Sequence, residues 1–74
     1  MKMKYYKETD SLYIDLSEKT SVDSLEIAPG IVADFDAENN IVGLDIDHAS
    51  KIMNLGELEI SHMPSKKFTF SPAA

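Results

Sequence analysis

The chain has no cysteine, no tryptophan and no arginine. Without cysteine there is no disulfide, no thiolate metal site and no thiol nucleophile. Without arginine the usual residue for bidentate phosphate contacts and for reading guanine is missing. The charge balance points the same way: seven lysines face thirteen acids, for a net charge of -6 over 74 residues. Lysines gather at Lys2, Lys4 and Lys7 and again at Lys66 and Lys67, while the middle is acidic. A mostly acidic surface repels a polyanion, so nucleic acid is not an expected partner; solubility is the plain reason for such a surface. No apolar run approaches the ~20 residues of a membrane span, and Met1-Lys2-Met3 opens no secretory signal, so the expectation is a cytoplasmic protein with no membrane partner. One small domain is all the length allows. At this size about 60% of the extended-chain surface is buried, which leaves a thin stability margin, and oligomerisation is the remaining ordinary staple.

What is present is strand patterning. In IVADFDAENNIVGLDID, residues 31–47, Ile31, Ala33 and Phe35 fall on one face, and Val42, Leu44 and Ile46 on one face of a second strand. A four-residue loop over Ala37, Glu38, Asn39 and Asn40 pairs Asp36 with Ile41, Phe35 with Val42, Ala33 with Leu44 and Ile31 with Ile46. Asn40 is expected to take the left-handed conformation that closes the loop. A shorter turn would set Asp34 opposite Asp45, like charge against like. A second hairpin with the same layout stands at the start. Tyr6 pairs with Ser11, Tyr5 with Leu12, Met3 with Ile14 and Met1 with Leu16, around the polar turn Lys7-Glu8-Thr9-Asp10.

Residues 22–27 read as a further strand with Leu25 and Ile27 inward. Pro29-Gly30 has the residues of a type II turn. A direct hairpin there would pair Ile27 with Val32 across opposite faces, so the connection is either a corner or a bulge. After Asp47 the period changes. Asp47 can cap a helix, Ala49, Ile52 and Met53 share a helical side, and Gly56 is a natural stop. Beyond it, residues 57–60 and 67–70 alternate again, and Leu58, Ile60, Met63, Phe68 and Phe70 must find cover on this chain or another.

The stretches MKYYKETDSLYIDL and EIAPGIVADFDAENNIVGLDIDHAS resemble domain-of-unknown-function family 2283, a family of small prokaryotic proteins. The similarity runs over roughly the first fifty-five residues, with the PGIV-x-D-x-D and IVGLDI blocks at the right spacing. It implies a small sheet with a helix, and it implies no activity and no functional residues. The tail after Gly56 departs from it.

Candidate chemistry centres on carboxylates. Asp34, Asp36 and Glu38 are spaced by two and Asp45 lies on the neighbouring strand, so Asp34, Asp36 and Asp45 can converge on the solvated face, where calcium or magnesium would want oxygen ligands. The run D-F-D-A-E-N-N is like the first half of a calcium loop, but Asn39 stands where Gly is required and no glutamate follows at the twelfth position. Asp and Asn are equally the expected residues of a solvated hairpin turn. His48, beside Asp45 and Asp47, can titrate or bind a metal, although a lone histidine at a helix start is more often plain surface; His62 carries less weight. No serine or threonine sits in a nucleophile elbow, and Gly30, Gly43 and Gly56 stand singly rather than in a phosphate loop. Tyr6, Tyr13, Val32 and Ile41 fall on the outer face and form a candidate patch for a second subunit.

The expectation is therefore an α+β domain over residues 1–56, a mainly antiparallel sheet of about four or five strands with one short helix packed on a face, followed by a tail over 57–74 that adds a strand or contacts another subunit. Its expected role is a non-catalytic protein-interaction module, a homo-oligomer with a basic protein as a further partner and no cofactor. The competing reading is a divalent-cation-dependent or enzymatic site on Asp34, Asp36, Asp45 and His48.

Overall fold

Five strands and one helical turn follow each other in the computed structural model, which describes residues 1–72: β1 (Lys2–Tyr6), β2 (Ser11–Asp15), β3 (Asp23–Ala28), β4 (Ile31–Phe35), β5 (Ile41–Ile46) and α1 (Ala49–Ile52). The strands form one antiparallel sheet in the order β1-β2-β5-β4-β3. The architecture is thus α+β, as the alternation indicates. The first hairpin has the expected register, with Tyr6 opposite Ser11, Tyr5 opposite Leu12 and Met3 opposite Ile14.

The central hairpin matches its expected register at Ile31–Ile46, Ala33–Leu44 and Asp34–Gly43, then departs: Phe35 pairs with Ile41, not Val42. The cause lies in the loop. Asp36 N–H donates to the Asn40 carbonyl at 2.9 Å, Asn39 N–H donates to the Asp36 carbonyl at 3.1 Å, and Asn39, not Asn40, is left-handed at φ 67°. This is a three-residue loop closed by an Asp36–Asn40 pair, one residue shorter than expected. A bulge between Asp34 and Phe35 on the ladder absorbs the difference and restores the register. Val42 is buried as a result, while Ile41, expected on the outer face, stands opposite Phe35 and remains exposed.

Pro29-Gly30 makes a direct two-residue connection, with Gly30 at φ 78° and Ala28 opposite Ile31. A register shift between Glu26 and Ala28 places a bulge at Ile27, so the face conflict of a tight hairpin is relieved by the extra residue. Leu25 and Ile27, expected inward, are exposed, because β3 is an edge strand that no other element among the described residues covers.

The inner face carries the core. Leu12, Ile46 and Ala49 are buried together, with Ile14, Ile31 and Met53 packed against them. The helical turn therefore packs at the end of the β2–β5 pair where Leu12 faces Ile46. Ile52, expected on its buried side, is exposed: α1 is a single turn whose chain becomes extended at Met53. Met3 and Tyr5 share this face, yet they are 50% and 44% exposed because α1 does not reach β1. After Ile52 no regular element forms among the described residues, and every residue from 54 to 72 is exposed. The alternating stretches 57–60 and 67–70 are thus not strands in the isolated chain. No helix among the described residues is long and apolar enough to cross a membrane.

Candidate functional site

Asp34 and Asp45 do share the outer face, opposite Gly43 and Val32 respectively. The Asp34 carboxylate is already engaged. It accepts from the Tyr13 hydroxyl at 2.9 Å and from the Ser24 hydroxyl at 2.7 Å, a link across four strands. Tyr13 pairs with Asp45 on the ladder, so its ring must lean over β5 to reach β4. Gly43 makes the room: a Cβ there would collide with the Tyr13 hydroxyl. Holding its hydrogen bond to a carboxylate keeps the Tyr13 hydroxyl protonated, above the ordinary tyrosine range, with burial acting in the same direction.

Asp36 does not join them. The chain leaves the strand at Phe35, and the Asp36 side chain turns back into its own loop, buried at 6% exposure. It accepts from Glu38 N–H at 2.9 Å, Asn40 N–H at 2.8 Å and the Asn40 amide at 3.3 Å. The Asn40 backbone bond leads the stabilisation of its charged form, and its pKa lies below the usual carboxylate range despite burial. His48 lies past the other end of β5, roughly 20 Å of strand away from the Asp36 loop at ~3.3 Å per residue. Among the described residues no three histidine, aspartate or glutamate side chains come together in a way that could hold a metal ion. The expected convergence of Asp34, Asp36, Asp45 and His48 therefore fails, because a turn and the full length of a strand divide them.

A second polar constellation has no counterpart in the sequence reading. Asp10, left-handed at φ 52°, accepts from the Tyr5 hydroxyl at 2.7 Å, from Ser50 N–H at 3.1 Å and from the Ser50 hydroxyl at 2.7 Å. Its carbonyl accepts from Ala49 N–H at 2.9 Å. The cap of α1 is thus supplied by the β1–β2 turn and not by Asp47, whose N–H instead donates to Gly30 at 2.8 Å. His48 occupies the cap position with left-handed backbone and no side-chain bond. Hydrogen bonding from Tyr5, then from Ser50, lowers the pKa of Asp10, and the same Tyr5–Asp10 bond raises that of Tyr5. Nothing local marks Asp10 for this role; its partner lies forty residues away. Tyr5, Asp10, Tyr13 and Asp36 are all pushed away from neutrality, the opposite of what a general acid or base needs.

A broad concave feature of the described residues is mainly apolar. Leu58, Ile60 and Met63 of the tail line an open trough with Met3, Tyr5 and Ile14 of the sheet's inner face. No curated protein and no solved structure matches the chain. The family described as "Protein of unknown function (DUF2283)" matches residues 2–50, from the start of β1 into α1, and leaves the tail outside. With more than half of its length matched, the chain belongs to that family.

Proposed function

We propose that the protein is a non-catalytic interaction module that self-associates. The observation that carries this reading is the shortage of buried apolar surface in the isolated chain. The buried hydrophobic residues are Leu12, Ala33, Val42, Ile46 and Ala49, and among the described residues no large side chain is completely buried. Met3 and Tyr5 on the sheet and Phe68 and Phe70 in the tail, the last two 67% and 71% exposed, lie open to water. Apolar groups on this scale and in continuity mark a surface that another chain covers. The net charge of -6 adds a second property, attraction of a basic protein partner at long range, which would speed encounter more than it would tighten binding. Sedimentation equilibrium over a wide concentration range tests the reading. A mass above that of one chain at micromolar concentration is expected; a single monomeric species throughout would overturn it.

A further inference from the structure

Both ends of the sheet are open. β1 and β3 are edge strands, and among the described residues neither has a ladder partner on its outer side. An open edge is a template for another strand. The two edges differ in charge. On β1, Lys2 and Lys4 lie on the outer face with Asp15 and Tyr13, while Met3 and Tyr5 lie on the inner face with Ile14 and Leu12. On β3, Ser24 and Glu26 share the outer face with Asp34 and Val32. Neither Lys2 nor Lys4 makes an ion pair among the described residues.

The tail holds one four-residue stretch that complements β1. In residues 57–60, Glu57 and Glu59 alternate with Leu58 and Ile60. Placed beside β1 with Leu58 and Ile60 on the inner face, the stretch extends the apolar surface of Met3 and Tyr5. The same register sets its glutamates against Lys2 and Lys4, and opposite charges across a strand pair are favourable. On β3 those glutamates would meet Glu26. The other alternating stretch, residues 67–70, would bring Lys67 to Lys2 and Lys4. Charge therefore selects one segment for one edge.

We propose that residues 57–60 of each subunit add as a strand to the outer edge of β1 in a second copy, in a reciprocal exchange. This inference rests on the self-association reading and names its seam. In the isolated chain the tail crosses the inner face, lining the trough with Met3 and Tyr5, and leaves the β1 edge unpaired. A two-fold dimer fills the β1 edge of each subunit with the same contact, which closes this exchange at two chains.

The test compares the full chain with Leu58→Pro and with Glu59→Pro, the larger effect of the two being read. Residues 58 and 59 are exposed and outside every element, so neither substitution disturbs the subunit, and because successive residues of a strand aim their N–H groups to opposite sides, one of the two prolines removes a ladder donor of the added strand. The expected result is a dimer dissociation constant at least about tenfold higher, the equivalent of one or two lost ladder bonds. Because the chain has no native cysteine, single-cysteine variants locate the seam. Leu58→Cys mixed in turn with Met3→Cys and Tyr5→Cys is expected to give an interchain disulfide with at least one of them. A dimer indifferent to both prolines, or the absence of both disulfides, overturns the seam and leaves self-association standing. A disulfide formed within one chain by a Met3→Cys/Leu58→Cys double variant, at a concentration where the full chain is dimeric, assigns the edge to the chain's own tail and overturns the exchange. A monomeric full chain overturns both readings.

Discussion

Asp10 joins the first hairpin to the helix, and Asp36 ties off the central loop; both do so as ionised carboxylates accepting several donors. Their folded-state acidities lie on the strong side of the ordinary aspartate value. Their contribution to stability is therefore present at neutral pH and is lost as pH falls from about 4 through the folded-state values. Tyr5 and Tyr13 behave in the opposite sense. Their contribution is complete below about pH 10 and is lost as pH rises through the folded-state values. Urea midpoints measured against pH should decline at both ends. Asp36→Asn is expected to flatten the acid limb and Tyr13→Phe the alkaline one. Gly43 gives a steric counterpart. Gly43→Ala should cost ~1–3 kcal/mol, since the new methyl displaces the Tyr13 hydroxyl from Asp34. In a Tyr13→Ala background most of that penalty should vanish, and a double-mutant cycle of denaturant unfolding reads the difference.

The central hairpin shows how far alternation carries and where it stops. Period two assigns Ile31, Ala33, Leu44 and Ile46 to one face, because a buried face fixes register wherever the strands are regular. It is blind to the loop, where backbone conformations decide how many residues are spanned. A four-residue loop without a bulge and a three-residue loop with one lead to the same pairing at Asp34–Gly43. The two loops differ at a measurable place. Asn39→Gly, at the left-handed position, should be neutral or stabilising by up to about 1 kcal/mol. Asn40→Gly should destabilise, since it removes the amide that donates to Asp36 and adds backbone freedom at a position that is not left-handed. Thermal denaturation of the pair separates them. The candidate site was less legible than the strands. Spacing by two puts Asp34, Asp36 and Asp45 on one face only if all three lie in strands, and Asp36 does not. The Asp10 cap joins segments that no local pattern connects, whereas a glycine inside a strand, Gly43, is the signal that could have located the close approach of Tyr13 to Asp34.

For the molecule as a whole, the small core makes single truncations severe. Ile46 belongs to the buried cluster under α1. Its replacement by alanine should cost ~2–5 kcal/mol, comparable with the entire stability of a domain near the lower limit of size. If assembly supplies the missing cover, stability follows mass action. The melting temperature of the full chain should rise with protein concentration, and that of a chain ending at residue 56 should be lower and independent of concentration. Differential scanning calorimetry at several concentrations checks both.

The strand order has a kinetic consequence. β1 and β2 are neighbours in sequence, as are β3, β4 and β5, so two locally connected pieces meet only at the β2–β5 ladder, where Leu12 faces Ile46 and Ile14 faces Leu44. Hairpins close in microseconds, while joining them requires the ends of a long intervening loop to meet before any contact rewards it. The β2–β5 junction is then the slow event of folding, and the Asp10–Ser50 bonds form across the same gap. Stopped-flow refolding should find that Ile14→Val slows folding in proportion to its loss of stability. Leu25→Ala, on the edge strand β3, should act mainly by speeding unfolding.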